Sequence, residues 1–189
     1  NDVRVLCPKY DCDEENKQME KLVVIINGSG GAGKDTICKV VENHYSTMNV
    51  SSIDPIKKIA IENGWDGQKS EKSRKFLADL KQLFVDYNDL PLQYLTEKYE
   101  EFLDSTKQIM FVHIREPEEI RKFKQSVGKN CVTLLVRRHT MARKAWNNSS
   151  DDDVEKYEYD FYYENCKDLR ELEQDFMAFF EEKMLGSDV

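Results

Sequence analysis

One short stretch limits the choice of fold more than any other: "KLVVIINGSGGAGKDTICKVV", from Lys21 to Val41. Its first part, Leu22 to Ile26, is apolar at every position and mostly β-branched. A strand with one wet face alternates apolar and polar residues. An unbroken apolar run therefore predicts a strand covered on both sides, as in a parallel sheet flanked by helices. The run breaks into glycines at 28, 30, 31 and 33, and a helix is expected from Asp35 to Ser46. A buried strand feeding a helix through so tight a turn calls for an α/β layer architecture.

The rest of the chain repeats that alternation. "NVSSI" reads as a second strand ending at Asp54, and Pro55 to Asn63 as a helix with proline at its first position. Ser70 to Tyr87 is predicted helical. Its Phe76, Leu77, Leu80, Leu83, Phe84 and Tyr87 recur at spacings of three and four, which predicts a core-facing apolar stripe. Pro91 starts a further helix to about Leu103. "QIMFVHI" is a third strand, Glu116 to Ser126 a helix, "CVTLLVRR" a fourth strand and "EYDFYYEN" a fifth. Leu169 to Met184 closes the chain as a helix with Leu172, Phe176, Phe179 and Phe180 inward. Residues 1–20 lack this periodicity and read as an N-terminal extension to one domain spanning 21–189.

Composition excludes several classes. The chain has 189 residues, enough for one domain with its own core. A net charge of -8 argues against binding polymeric nucleic acid, which wants a basic face. No run approaches the roughly 18 apolar residues of a membrane span, and no signal-peptide pattern opens the chain. The five cysteines are odd in number and scattered, which fits reduced thiols better than a disulfide framework or a zinc site, so a cytoplasmic protein is expected.

The glycines lie between a buried strand and a helix, the context a phosphate-binding loop requires. Gly28, Gly30, Gly31 and Gly33 let the backbone approach a ligand without side chains intervening, with Ala32 the smallest alternative. Successive amides at a helix N-terminus form a concavity suited to an anion, and Lys34 adds a full positive charge. Gly28-x4-Gly33-Lys34 matches the Walker A pattern up to its last position, where Asp35 stands in place of Ser or Thr and Thr36 follows.

With those residues in view, "GSGGAGKDT" resembles the loop of the P-loop nucleoside monophosphate kinase superfamily. Its "GKDT" ending is similar to phage-type deoxynucleoside monophosphate kinases, and phosphomevalonate kinases of the animal type carry a related "GKD". "SSIDPIKKIA", "VHIREPEEIRKF" and "YDFYYENCKDLRELEQDF" look like later segments of the same superfamily. The resemblance implies a three-layer P-loop fold with five parallel strands in the order 2-3-1-4-5. It also implies ATP as donor, Mg²⁺ as counterion and a small phosphorylated acceptor, a (deoxy)nucleoside monophosphate first and a phosphomevalonate-like metabolite second. A non-catalytic ATP-binding switch is the remaining alternative. Residues about 55–105 would form the acceptor-side helical insertion and about 138–158 a lid.

The other candidate residues fall where strands end, the usual ligand side of an open α/β sheet. Asp54 either orients the acceptor or a metal-bound water, or caps the helix beginning at Pro55. Arg115 either grips a phosphate or pairs with Glu116, Glu118 or Glu119. Arg137, Arg138 and Arg143 flank the lid segment, and Arg137 and Arg143 are the candidates for meeting the transferring phosphate. Lys57 and Lys58 are expected in solvent, His113 in local packing, and Arg74 is a weaker phosphate candidate. Lys34, Asp54, Arg115, Arg137 and Arg143 form the candidate catalytic set. Gly28, Gly30, Gly31, Ala32, Gly33, Lys34, Asp35 and Thr36 form the nucleotide cradle.

Overall fold

The computed structural model describes residues 21–138 and 153–186. They form one parallel sheet with β1 (Leu22–Asn27), β2 (Thr47–Ser51), β3 (Ile109–His113), β4 (Cys131–Arg137) and β5 (Phe161–Glu164). The strands lie in the order β2-β3-β1-β4-β5. This is the strand order implied by the resemblance. The helices are α1 (Lys34–Glu42), α2 (Asp54–Glu62), α3 (Glu71–Asn88), α4 (Leu90–Asp104), α5 (Pro117–Val127) and α6 (Leu169–Phe179). A 3-10 turn at Asp153–Lys156 precedes β5, and a π-helical turn at Phe180–Leu185 continues α6.

β1 sits at the centre, paired with β3 on one side and β4 on the other, which is why it can be apolar throughout. Because successive side chains face opposite ways, Val24 and Ile26 enter one core with Ile37, Val41, Phe176 and Phe180. Val23 and Ile25 enter the other with Leu95, Phe102, Ile120 and Phe123. At the amino end of the sheet, Lys21 Nζ donates to the carbonyls of Phe102 (2.7 Å), Ser105 (2.6 Å) and Lys107 (2.7 Å). A cation there complements the negative end of α4 and binds its last turn to β1. No described helix is long and apolar enough to cross a membrane.

Several boundaries differ from the sequence reading. α1 stops at Glu42, because His44 and Tyr45 donate back to the Val41 carbonyl and turn the chain into β2. β2 begins at Thr47, which is buried opposite Ile109, two residues before the expected start. Residues 1–20, with the extension assigned to them, lie outside the described residues.

The largest correction concerns α3. Its stripe was expected to face the core, yet Phe76 is 43%, Leu83 65% and Tyr87 84% exposed. The buried residue of this helix is Lys81. α3 packs against α2 and α4 rather than on the sheet, so its apolar positions have too little surface to lie against. Phe102→Ala, which empties a fully buried site, is expected to lose about 3–5 kcal/mol in urea unfolding. Leu83→Lys should change stability by less than about 0.5 kcal/mol. A Leu83→Lys loss above about 2 kcal/mol would put the stripe back in the core.

Candidate active site

Parallel strands end on the same edge, and the register states which residues meet there. Ile26 pairs with His113 and Asn27 with Leu135, so the loop after β1 leaves between the ends of β3 and β4. This is the point where the strand order reverses and an open α/β sheet has its crevice. Ser51 pairs with His113, which sets Asp54 and Arg115 beyond neighbouring strand ends.

The glycine loop is shaped by close approach. Gly28 has φ 150°, and a Cβ there would collide with the Val136 carbonyl. Gly33 has φ 98°, and a Cβ there would run into the Asn165 amide nitrogen. Gly33 is also the N-cap of α1 and makes no side-chain capping bond, so the first amides of the helix are turned toward the loop. Gly30 and Gly31 are exposed at the loop's crest, while Ala32 is buried beneath it. Lys34 Nζ lies across the loop, donating to the carbonyls of Gly28 (2.5 Å) and Ser29 (3.1 Å). Asp35 and Thr36 occupy the first turn of α1.

Two buried asparagines hold this loop, and sequence reasoning missed both as site residues. Asn27 accepts from Gly28 N (2.8 Å) and donates to the Arg115 carbonyl (3.1 Å) and to Tyr159 Oη (2.8 Å). It thereby ties the loop's origin to the end of β3 and the approach to β5. Tyr159 passes the bond on to the Val154 carbonyl (2.9 Å), and burial pushes its phenol up to about 12, so it stays a neutral donor. Asn165 donates to the Ala32 carbonyl (2.9 Å), and its backbone amide donates to the Arg137 carbonyl (2.7 Å). For Asn27 the available signal was chemical: a polar residue ending an otherwise apolar buried strand must have its hydrogen bonds met.

The remaining candidates divide. Asp54 is not the N-cap of α2, which is Ile53; it lies inside the first turn, and its carboxylate accepts from Ser51 N (2.8 Å). Arg115 is exposed at the end of β3. Of its three expected acidic partners, Glu116 and Glu119 bind Lys81, and Glu118 binds Arg121. Arg137 is on the site edge through its backbone, but its guanidinium forks onto Glu155 (3.0 and 2.6 Å) and lies 4.8 Å from the Tyr162 ring centre. That bond to Glu155 raises an already high guanidinium pKa. Arg138 and Arg74 are exposed, as are Lys57 and Lys58. Arg143 and the lid between 139 and 152 lie outside the described residues.

His113 lies 3.3 Å from Asn49 Oδ1 and 3.9 Å from Cys38 Sγ, and burial lowers its pKa, so it is a neutral packing group. Burial pushes the Cys38 and Cys131 thiols up to about 12, which removes both as nucleophiles. Cys166 is exposed.

No known family model matches the chain, and no curated protein matches its sequence. Among solved structures, TT1252 from Thermus thermophilus aligns over 87% of this chain and 98% of its own, with 18% identity and a TM-score of 0.49. The APS kinase of Mycobacterium tuberculosis aligns over 86% and 98%, with 14% identity and a TM-score of 0.43. A gluconokinase from Sinorhizobium meliloti aligns over 87% and 93%, with 14% identity and a TM-score of 0.44. The fold stands on the strand order itself.

The Gly33–Asn165 contact is open to a direct test. Gly33→Ala is expected to lower stability by about 1–3 kcal/mol, through its positive φ and the collision with the Asn165 amide. In an Asn165→Ala background the same substitution should be less damaging, since only the backbone strain remains. Fully additive losses in denaturant unfolding would show that Asn165 is not the obstacle.

Proposed function

We propose that this chain is an ATP-dependent small-molecule kinase whose acceptor is a (deoxy)nucleoside monophosphate. The observation that carries the reading is the loop between β1 and α1. It has no room for side chains at Gly28 and Gly33, its helix N-terminus is uncapped, and Lys34 reaches across it. Backbone amides in that arrangement suit the outer phosphates of a nucleotide, and the Lys34 ammonium can exchange its two carbonyl partners for phosphate oxygens. The strand order supports a second phosphorylated ligand on the β2–β3 side, where Asp54 and Arg115 extend beyond the sheet.

The residues also suit magnesium, a hard cation that takes oxygen ligands. The Thr36 hydroxyl and the Asp35 and Asp54 carboxylates are the side chains that would hold it, directly or through water. Among the described residues no group of three or more His, Cys, Asp or Glu converges on one point. Phosphate oxygens and water would therefore supply most of its coordination. When bound, the ion neutralises charge on the phosphates.

In this reading an acceptor phosphate oxygen attacks the γ-phosphorus in line, and the chain's work is positioning and charge stabilisation. The loop amides and Lys34 hold the donor. Arg115 orients the acceptor phosphate. Arg137, after exchanging Glu155 for phosphate, takes charge that develops on the transferring group, with Arg143 a further candidate for that task. An arginine in this role can contribute roughly 10³–10⁵ in rate.

Lys34→Ala should reduce turnover at least about a thousandfold in an ADP-release assay over the common nucleoside monophosphates, while leaving the melting temperature of the free protein within a few degrees. Unchanged turnover in the variant would overturn the assignment. Wild-type protein that turns over phosphomevalonate and no nucleoside monophosphate would overturn the acceptor.

A further inference from the structure

On the acceptor side, Lys81 of α3 reaches the segments that follow β2 and β3. Lys81 is only 8% exposed, and its Nζ donates to Glu116 Oε2 (2.7 Å), Glu119 Oε2 (2.8 Å) and Ser52 Oγ (3.2 Å). Three partners occupy all three ammonium hydrogens. Those partners come from different elements: Ser52 follows β2, Glu116 is the N-cap residue of α5 just past β3, and Glu119 lies in the first turn of α5. One lysine therefore joins α3 to the ends of β2 and β3, beside Asp54 and Arg115. The side chain of Glu116 does not cap its own helix and is committed to Lys81 instead.

Two carboxylates against one ammonium leave one negative charge, and the surroundings decide where it is presented. Glu119 is 13% exposed, and burial raises its pKa. Glu116 is 49% exposed; burial pushes it the same way, but Lys81 outweighs that and lowers its pKa. Glu116 thus offers a half-exposed carboxylate immediately after Arg115. The mouth presents a cation for a phosphate and an anion for something else. An anion beside a bound ligand accepts hydrogen bonds from hydroxyl or amino groups and repels a second carboxylate.

We propose that Glu116, held by Lys81, is a specificity-determining residue of the acceptor site: it accepts hydrogen bonds from hydroxyl or amino groups of a phosphorylated acceptor and rejects acceptors carrying a carboxylate at that end. This rests on the kinase reading and separates its two acceptor classes. A nucleoside monophosphate has hydroxyl and N–H donors away from its phosphate and no carboxylate, whereas phosphomevalonate carries a carboxylate there beside its hydroxyl. Lys81 acts through Glu116 and is a positioning residue.

The test compares wild type, Glu116→Gln and Lys81→Met with the four deoxynucleoside monophosphates as hydroxyl-bearing probes and phosphomevalonate as the carboxylate-bearing probe. Melting curves with and without Mg·ATP run alongside. Glu116→Gln should lose at least about tenfold in kcat/KM for the best deoxynucleotide, through the acceptor KM, with the KM for ATP within about twofold. The ratio of phosphomevalonate to deoxynucleotide efficiency should rise at least tenfold. Lys81→Met should repeat the acceptor defect, again with the KM for ATP within about twofold. Should Glu116→Gln fail to fold, the doubly neutral Lys81→Met, Glu116→Gln protein serves for the same comparison. An acceptor KM within twofold of wild type in the Glu116→Gln protein, or in the doubly neutral one if that is used, overturns the inference and leaves the kinase reading intact. Wild-type preference for phosphomevalonate, or turnover of no deoxynucleotide, also overturns it. In the last case, an absent melting shift with Mg·ATP shows that the kinase reading has failed as well.

Discussion

At the end of β1 the chain passes so close to Val136 and Asn165 that side chains are excluded at Gly28 and Gly33. This close approach sets the geometry of the whole carboxyl edge of the sheet. The loop can turn there because glycine tolerates the backbone angles. It keeps its place because Asn27 and Asn165 bond it to three other parts of the edge: the Arg115 carbonyl, Tyr159, and the Arg137 carbonyl at the end of β4. The lysine and the first turn of α1 inherit their positions from that arrangement. A displaced loop would move the end of β3 and the entrance to β5 with it.

Charge is distributed unevenly over this frame. The chain as a whole carries -8, and at the carboxyl edge the cations Lys34, Lys81, Arg115 and Arg137 stand among the carboxylates of Asp35, Asp54, Glu116, Glu119, Glu155 and Glu164. The acids close by are themselves engaged. Glu155 and Glu164 accept from Arg137, and Glu116 and Glu119 share Lys81. The Arg137 pairs are partly solvated, so exchange of Glu155 for a phosphate is a change of partner and not the exposure of a buried charge, whereas Lys81 and Glu119 are buried together.

The parallel sheet, its two covered faces and the phosphate-type loop were legible because each leaves a local mark. β1 is apolar at both parities, and the glycines sit at the strand–helix boundary. α3 misled for a physical reason: three-and-four spacing shows that a helix has an apolar side, not that another element lies against it. Lys81 falls on the same face as Leu77 and Phe84, and a charge inside a stripe was the clue that the helix docks by a polar contact. Asn27, Asn165 and Tyr159 were unreadable as a group because their partners lie far away in sequence. Asp54 beside proline suggested a cap, but its carboxylate reaches back to Ser51 N and the helix starts a residue earlier.

The central claim is that the amides from Gly28 to Thr36 receive the phosphates of a nucleotide. Backbone amide NMR shifts followed during a Mg·ATP titration test this most directly. The account predicts that the largest saturable shifts fall on Gly28, Gly30, Gly31, Gly33 and the following three residues, all fitting one dissociation constant. Saturating Mg·ATP that leaves those amides unmoved, or that shifts a different surface, would contradict it.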